Sequence, residues 1–215
     1  MNRSDGALRE ALRLYLVTDE TSEEKVLLHT LREAIRGGVG TVQLRRKNAR
    51  GRDFVTLGHA VRALTREAGV RFIVNDRVDV AQLVEADGVH IGQEDLPCDA
   101  VRKLLPNMLI GVSAATLDEA LRAEAQGADY LGVGAVYRTS TKSDARSTGL
   151  AGLEAIARAV SIPIVGIGGI TPANAAAVFA SGAAGVAVVS AIMHAPDPRR
   201  AAQYFAQIGG VDGNG

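Results

Sequence analysis

A single cysteine, Cys98, stands in 215 residues, so no intrachain disulfide forms; a small or half-buried packing role is the ordinary reading of such a residue, ahead of a nucleophile. Tryptophan is absent and aromatics make up 4%, which leaves few faces for stacking nucleobases. Lysine plus arginine (24) equals aspartate plus glutamate (24), whereas nucleic-acid binders usually carry a basic excess. No apolar run reaches the ~18 residues of a membrane helix. The start of the chain carries Arg3, Asp5, Arg9, Glu10 and Arg13 where a secretion signal would be apolar. A cytoplasmic protein without nucleic-acid or membrane partners is therefore expected. No two of the histidines share metal-ligand spacing, which argues against zinc.

What the chain does have is a rhythm. Eight apolar runs each stop at a polar or glycine-rich segment: LYLV at Thr18-Asp19, TVQL at Arg45-Arg46-Lys47, FIV at Asn75-Asp76, GVHI at Gln93-Glu94-Asp95, LIGV at Ser113, LGVGAVY at residues 139–142, PIVGI at Gly168-Gly169, and GVAVV at Ser190. A helical pattern follows nearly every stop, and glycine precedes several strands, as at Gly69, Gly88, Gly127 and Gly182. A doubly wound open sheet gives the same alternation but gathers its ligands at one crevice. Ligand-like residues after every strand favour an α/β fold of the single (β/α)8 TIM-barrel type, whose strand ends share one mouth. One domain over residues 1–215 is expected, with the barrel at about 14–208 and frayed termini. Thr171-Pro172 reads as a helix start, an N-cap followed by proline at the first helical position.

Gln43, Arg45 and Lys47 alternate, so an extended segment points all three to one side, a set suited to an anion or to a solvated strand end. Asp76 and Asp95 follow neighbouring predicted strands. They fit a shared Mg²⁺, an acid/base pair, or N-caps of the helices that follow, with Asp79 and Glu94 as further candidates. Thr139, Ser140, Thr141 and Lys142 open a polar loop toward Gly149. Their hydroxyls and ammonium suit a phosphate, although Thr141 stands where a P-loop requires glycine. After strands seven and eight, Gly168-Gly169 and Val189-Ser190 match the loops that bind phosphate in many barrels. His90, inside strand four, is either a pocket residue or a satisfied core histidine.

The segments LYLVTD, VQLRRKN, FIVNDRVDVA, ADGVHIGQEDLP, GVSA, GADYLGVGAVYRTSTKSDA, IPIVGIGGITPAN and GVAVVSAI, in this order and spacing, resemble the thiamine phosphate synthase family across nearly the whole barrel. The resemblance implies a Mg²⁺-dependent transferase with small phosphorylated substrates as its partners; an oligomer stays open. It would join the aminopyrimidine methyl diphosphate to the thiazole phosphate, or to its carboxylated form, releasing pyrophosphate. It implies a pyrimidine-diphosphate site of Gln43, Arg45, Lys47, Asn75, His90, Ser113 and Lys142, of which Arg45, Lys47, Ser113 and Lys142 would be catalytic. It implies a thiazole-phosphate site of Thr139, Ser140, Thr141, Gly169, Val189 and Ser190, with Asp76 and Asp95 as metal ligands. Arg46 stands where many relatives carry glutamate, and Tyr137-Arg138 replaces a more usual Phe followed by a small residue or proline. The nearest alternative is a thiazole tautomerase on the same barrel. Its relatives place a histidine shortly after strand five, where this chain has Ala114-Ala115. A silent phosphate-binding barrel should have lost charged ligands, and a phosphosugar isomerase should offer a well-placed base; neither fits as well.

Overall fold

The computed structural model describes residues 3–138 and 148–209. Helix α1 (Arg3–Leu12) leads into β1 (Leu14–Val17), α2 (Glu24–Arg36), β2 (Thr41–Leu44), α3 (Gly51–Ala68), β3 (Arg71–Asn75), α4 (Val78–Leu83), β4 (Gly88–Ile91) and α5 (Cys98–Leu104). The second half runs β5 (Leu109–Ala114), α6 (Leu117–Ala125), β6 (Tyr130–Val133), α7 (Gly149–Ala159), β7 (Ile164–Ile167), α8 (Ala175–Ala180), β8 (Gly185–Val188), α9 (Ser190–Met193) and α10 (Pro198–Gly209). The strands pair in chain order, all parallel. Pairing of Leu14 with Val186 and Tyr15 with Ala187 joins β1 to β8, giving a closed eight-stranded (β/α)8 TIM barrel.

Parallel strands covered by helices are apolar on both faces, and this produces two cores. Outside the barrel, one strand face meets the helices: Leu27, Leu31 and Ala34 of α2, spaced to share one helix face, are fully buried beside Leu14, Leu16 and Val42. Each such leucine contributes about 1.5–3 kcal/mol of burial. Inside, Tyr15, Val17, Ile73, Tyr130, Val165 and Ala187 fill the barrel together with Leu12.

Leu12 marks a departure from expectation. The first residues, expected to fray, form α1, whose Leu8 and Leu12 pack against the interior core. Thr41 donates to the Ala11 carbonyl at 2.7 Å, tying the end of α1 to the start of β2. One helix start also differs from the reading above. Thr171 to Asn174 form a turn, held by Thr171 N–H donating to Asn174 Oδ1 at 2.8 Å, so α8 begins at Ala175. No helix among the described residues is long and apolar enough to cross a membrane.

Candidate active site

The C-terminal strand ends form the mouth. At β2, Arg45 is fixed twice by its neighbour β1: its N–H donates to Thr18 Oγ1 at 2.9 Å, and its guanidinium meets Glu20 Oε1 at 2.5 Å. The other Glu20 oxygen accepts from the Lys47 N–H at 2.9 Å. One carboxylate thus orients the arginine side chain and the backbone of the lysine. Arg46 turns elsewhere and donates to the Ser22 carbonyl at 2.5 Å. Lys47 Nζ lies 3.7 Å from Asp76 Oδ2, which brings the end of β2 to the end of β3.

Asp76 takes a left-handed backbone (φ 61°), uncommon for a residue other than glycine, while its N–H donates to the His90 carbonyl at 2.8 Å. Asp95 returns from the loop after β4, its Oδ2 accepting from Gly92 N–H at 2.7 Å. The two carboxyls are within hydrogen-bonding reach of each other. Burial pushes the Asp76 carboxyl up, the Asp95 hydrogen bond and charge push it further, and Lys47 and Arg45 pull it back. Neither aspartate caps a helix: the residues ahead of α4 and α5 are Arg77 and Pro97, with no side-chain cap bond. Asp79 is held by Arg77 at 2.6 and 2.8 Å, and Glu94 lines the cleft between α4 and α5 that Asp76 and Asp95 share.

Below this rim lie the polar residues of the barrel interior. Gln43, Asn75 and His90 are buried at 4%, 8% and 8% exposure, and strand register sets Asn75 beside His90. Gln43 Nε2 donates to Tyr15 Oη at 2.9 Å; the Tyr15 and Tyr130 hydroxyls meet at 2.7 Å. His90 contacts Tyr130 Oη through Nδ1 at 3.2 Å and Ser113 Oγ through Nε2 at 2.9 Å. Gln93 donates to the Ser113 carbonyl at 2.7 Å, fixing the β5 end.

On the other half of the mouth, β7 and β8 end side by side, Ile167 pairing with Ala187. Gly168 and Gly169 take positive φ (102° and 64°), and a Cβ on Gly169 would lie 2.5 Å from the Arg138 carbonyl oxygen and 2.9 Å from Tyr137 Cβ. Glycine is thus required there by backbone geometry as well as by the stem of the loop after β6. Val189 precedes α9, whose first residue is Ser190. The leading amides of a helix have no carbonyl one turn behind them and point outward. Thr139, Ser140, Thr141 and Lys142 lie outside the described residues.

Sequence reasoning missed Thr18, Glu20, Tyr15, Tyr130 and Gln93. Glu20, an acidic residue close after the first strand's stop, carried a signal of position; the tyrosines lie within or beside apolar runs, where the pattern carries no such signal. Asp19 also ties the rim together: its carboxylate accepts from Ser22 at 2.6 and 2.9 Å and approaches His194 at 3.3 Å, past α9. Burial alone would raise the Asp19 carboxyl, but Ser22 and His194 together bring it below its ordinary value. Cys98 is buried and donates to the Gln126 carbonyl, and desolvation raises its thiol, which suits packing and not reaction. Among the described residues, no group of three or more His, Cys, Asp or Glu side chains clusters as a metal cage.

Comparison with known proteins agrees with this architecture. A family model described as thiamine monophosphate synthase matches residues 14–192. The thiamine-phosphate synthase of Moorella thermoacetica is 54% identical over 198 residues, 91% of this chain and 94% of that protein. That of Pyrococcus furiosus is 47% identical over 201 residues, covering 94% and 96%. The solved structure of thiamine phosphate pyrophosphorylase from Pyrococcus furiosus superposes with a TM-score of 0.88 at 46% identity, over 94% of this chain and 97% of that one. The crystal structure of a 3-hexulose-6-phosphate synthase, at 18% identity and TM-score 0.70, shares the fold alone. With the family model spanning the barrel and relatives this similar along their whole length, the chain belongs to the thiamine monophosphate synthase family.

Proposed function

We propose that this protein is a thiamine-phosphate synthase, a transferase that joins the aminopyrimidine methyl diphosphate to the thiazole phosphate, giving thiamine phosphate and pyrophosphate. The observation that carries the reading is the convergence of Arg45, Lys47, Asp76 and Asp95 on one rim. The glycine loop of β7 and the start of α9 sit on the same rim. A diphosphate station and a monophosphate station on opposite halves of one mouth fit two phosphorylated substrates. The relatives are synthases, and none of them supports the tautomerase alternative.

Asp76 and Asp95 suit a magnesium ion. They are hard oxygen donors, and their paired negative charges are held close, at a cost that a divalent cation relieves. Two carboxylates suffice where water and substrate phosphate complete the shell. When bound, the ion would supply positive charge to the diphosphate as it departs. The chain's own contribution is positional. Arg45, held by Glu20 and Thr18, offers its remaining donors to the leaving diphosphate. Lys47 adds a point charge, and Asn75, Gln43, His90 and Ser113 form the polar floor on which the pyrimidine rests. The electron-rich pyrimidine supports cationic character at the methylene as the C–O bond breaks, and the thiazole nitrogen then forms the new C–N bond. No general base is required, in keeping with a mouth of cations, hydroxyls and amides. In this reading Lys142 serves the diphosphate, and Thr139, Ser140 and Thr141 serve the thiazole phosphate beside Gly169, Val189 and Ser190. The carboxylated thiazole phosphate fits the same reading. The partners are small phosphorylated molecules, and the setting is the cytoplasm.

The direct test supplies each substrate alone and then both. Pyrophosphate release only with both, matched one-for-one by thiamine phosphate, is the expected result; conversion of the thiazole compound without pyrophosphate would instead indicate an isomerase.

A second expectation concerns Asp76→Asn. Because the Asp76 carboxyl is raised in the folded protein, the fold holds that proton more tightly than the unfolded chain does. The associated stability is present below the ordinary carboxylate range and is lost as pH rises through the raised value. At pH 7.5 in chelator the wild type therefore carries a repulsion that asparagine lacks, and asparagine tolerates the left-handed backbone. The variant should melt about 1–3 °C higher, an advantage that fades on acidification. Magnesium with pyrophosphate should raise the melting point of wild type more than that of the variant. Equal ligand shifts would remove Asp76 from the metal site.

A further inference from the structure

Side chains from five strands form one hydrogen-bonded chain beneath the mouth: Gln43, Tyr15, Tyr130, His90 and Ser113. Its two central members, Tyr15 and Tyr130, are 2% and 0% exposed. Room for the crossing is made by glycines on the adjacent strands. A Cβ on Gly111 would overlap the Tyr130 ring and lie 2.5 Å from His90 Nδ1, and one on Gly132 would lie 2.9 Å from His90 Cε1. Two phenylalanines would fill the space of the tyrosines without placing hydroxyls in an apolar interior, where an unpaired one is costly.

The direction of the chain follows from its first member. Gln43 Nε2 can only donate, so Tyr15 Oη accepts from it, and within the chain the buried Tyr15 proton finds an acceptor only at Tyr130 Oη. Tyr130 in turn donates to His90 Nδ1. A neutral imidazole whose Nδ1 accepts carries its proton on Nε2, which then donates to Ser113 Oγ. The Ser113 proton is left to point toward the mouth. We propose that Tyr15 and Tyr130 are positioning residues that hold His90 in the Nε2–H tautomer and thereby make Ser113 a fixed hydrogen-bond donor to an acceptor atom of the pyrimidine substrate. This rests on the function proposed above for the identity of the substrate. Run in reverse, the chain would leave the buried Tyr15 proton without an acceptor in it unless Gln43 turned its carbonyl oxygen inward, and would put the histidine proton on Nδ1 and consume the Ser113 proton on His90.

The test uses the whole protein with ¹⁵N-labelled histidine, the His90 signals being assigned by their loss in His90→Asn. Wild type is expected to show a protonated Nε2 and a bare Nδ1. Tyr130→Phe should shift His90 toward the other tautomer. It should also lower kcat about tenfold, the effect of one lost oriented hydrogen bond, with KM for the thiazole phosphate unchanged. Tyr15→Phe should move both readouts the same way by less, and it carries the test if Tyr130→Phe does not fold. A wild-type His90 protonated on Nδ1, or kcat within twofold of wild type in folded variants, overturns the proposal, since hydroxyls that serve only packing would alter melting alone. If wild type forms no thiamine phosphate, the proposed function fails, while the tautomer still decides the direction of the chain.

Discussion

Arg45→Ala should reduce kcat/KM for the diphosphate substrate by about 10²–10³, the usual loss when one preorganised donor to a developing anion is removed. The guanidinium is largely buried, and both its backbone and its side chain are fixed before any substrate arrives. Little reorganisation is then left for the moment when the diphosphate takes up charge. The fold should survive with a loss of about 1–3 kcal/mol, because the substitution takes the Arg45 donor from one oxygen of the half-buried Glu20 carboxylate. Arg45→Lys should recover only part of the activity, because a point charge cannot reproduce the fork that Glu20 holds and the diphosphate would share. Steady-state kinetics with melting curves on all three proteins check this. Activity within fivefold of wild type in a folded Arg45→Ala protein would move the diphosphate away from this strand end.

Gly111→Ala should damage the fold more than any surface change at the mouth. The added methyl would overlap the Tyr130 ring and approach His90 Nδ1 to 2.5 Å, and both side chains are pinned by their hydrogen bonds. No flexible end is available to give way. Overpacking of this kind costs about 1–3 kcal/mol and more where the neighbours cannot move. A loss of ~3 kcal/mol corresponds to a melting point lower by about 6–12 °C for a chain of this size. By contrast, an alanine at Gly51, whose nearest neighbour would be Arg77 at 3.6 Å, should leave melting almost unchanged. Equal melting of the two variants would mean that the interior rearranges around residue 111.

The barrel was legible because its signals are local. A buried parallel strand must be a short apolar run, and a rim must be polar where the run stops, so β1, β2, β4, β6 and β7 fall on the runs read from sequence. The position of α1 was not legible. Its polar residues resemble a frayed end, and only the open floor of the barrel gives Leu8 and Leu12 something to cover. Thr171-Pro172 has the form of a helix start, yet the Asn174 side chain satisfies the Thr171 N–H and delays α8 by a turn.

The same division runs through the candidate site. Residue order places Arg45, Lys47, Asp76 and Asp95 directly after strands, and once strands are parallel neighbours, being after a strand means being at one rim. Pattern alone left the aspartates as caps, an acid/base pair or metal ligands, because all three arise at the same strand-to-helix junction. Which groups then meet depends on curvature, shear and the pointing of side chains, none of which is written locally. Glu20 reaches Arg45 from the preceding strand end, and Tyr15 finds Tyr130 across 115 residues of chain. Such partners are far apart along the polypeptide and adjacent only after closure, so the chemistry of the rim could be read residue by residue while the network that orients it came into view with the closed barrel.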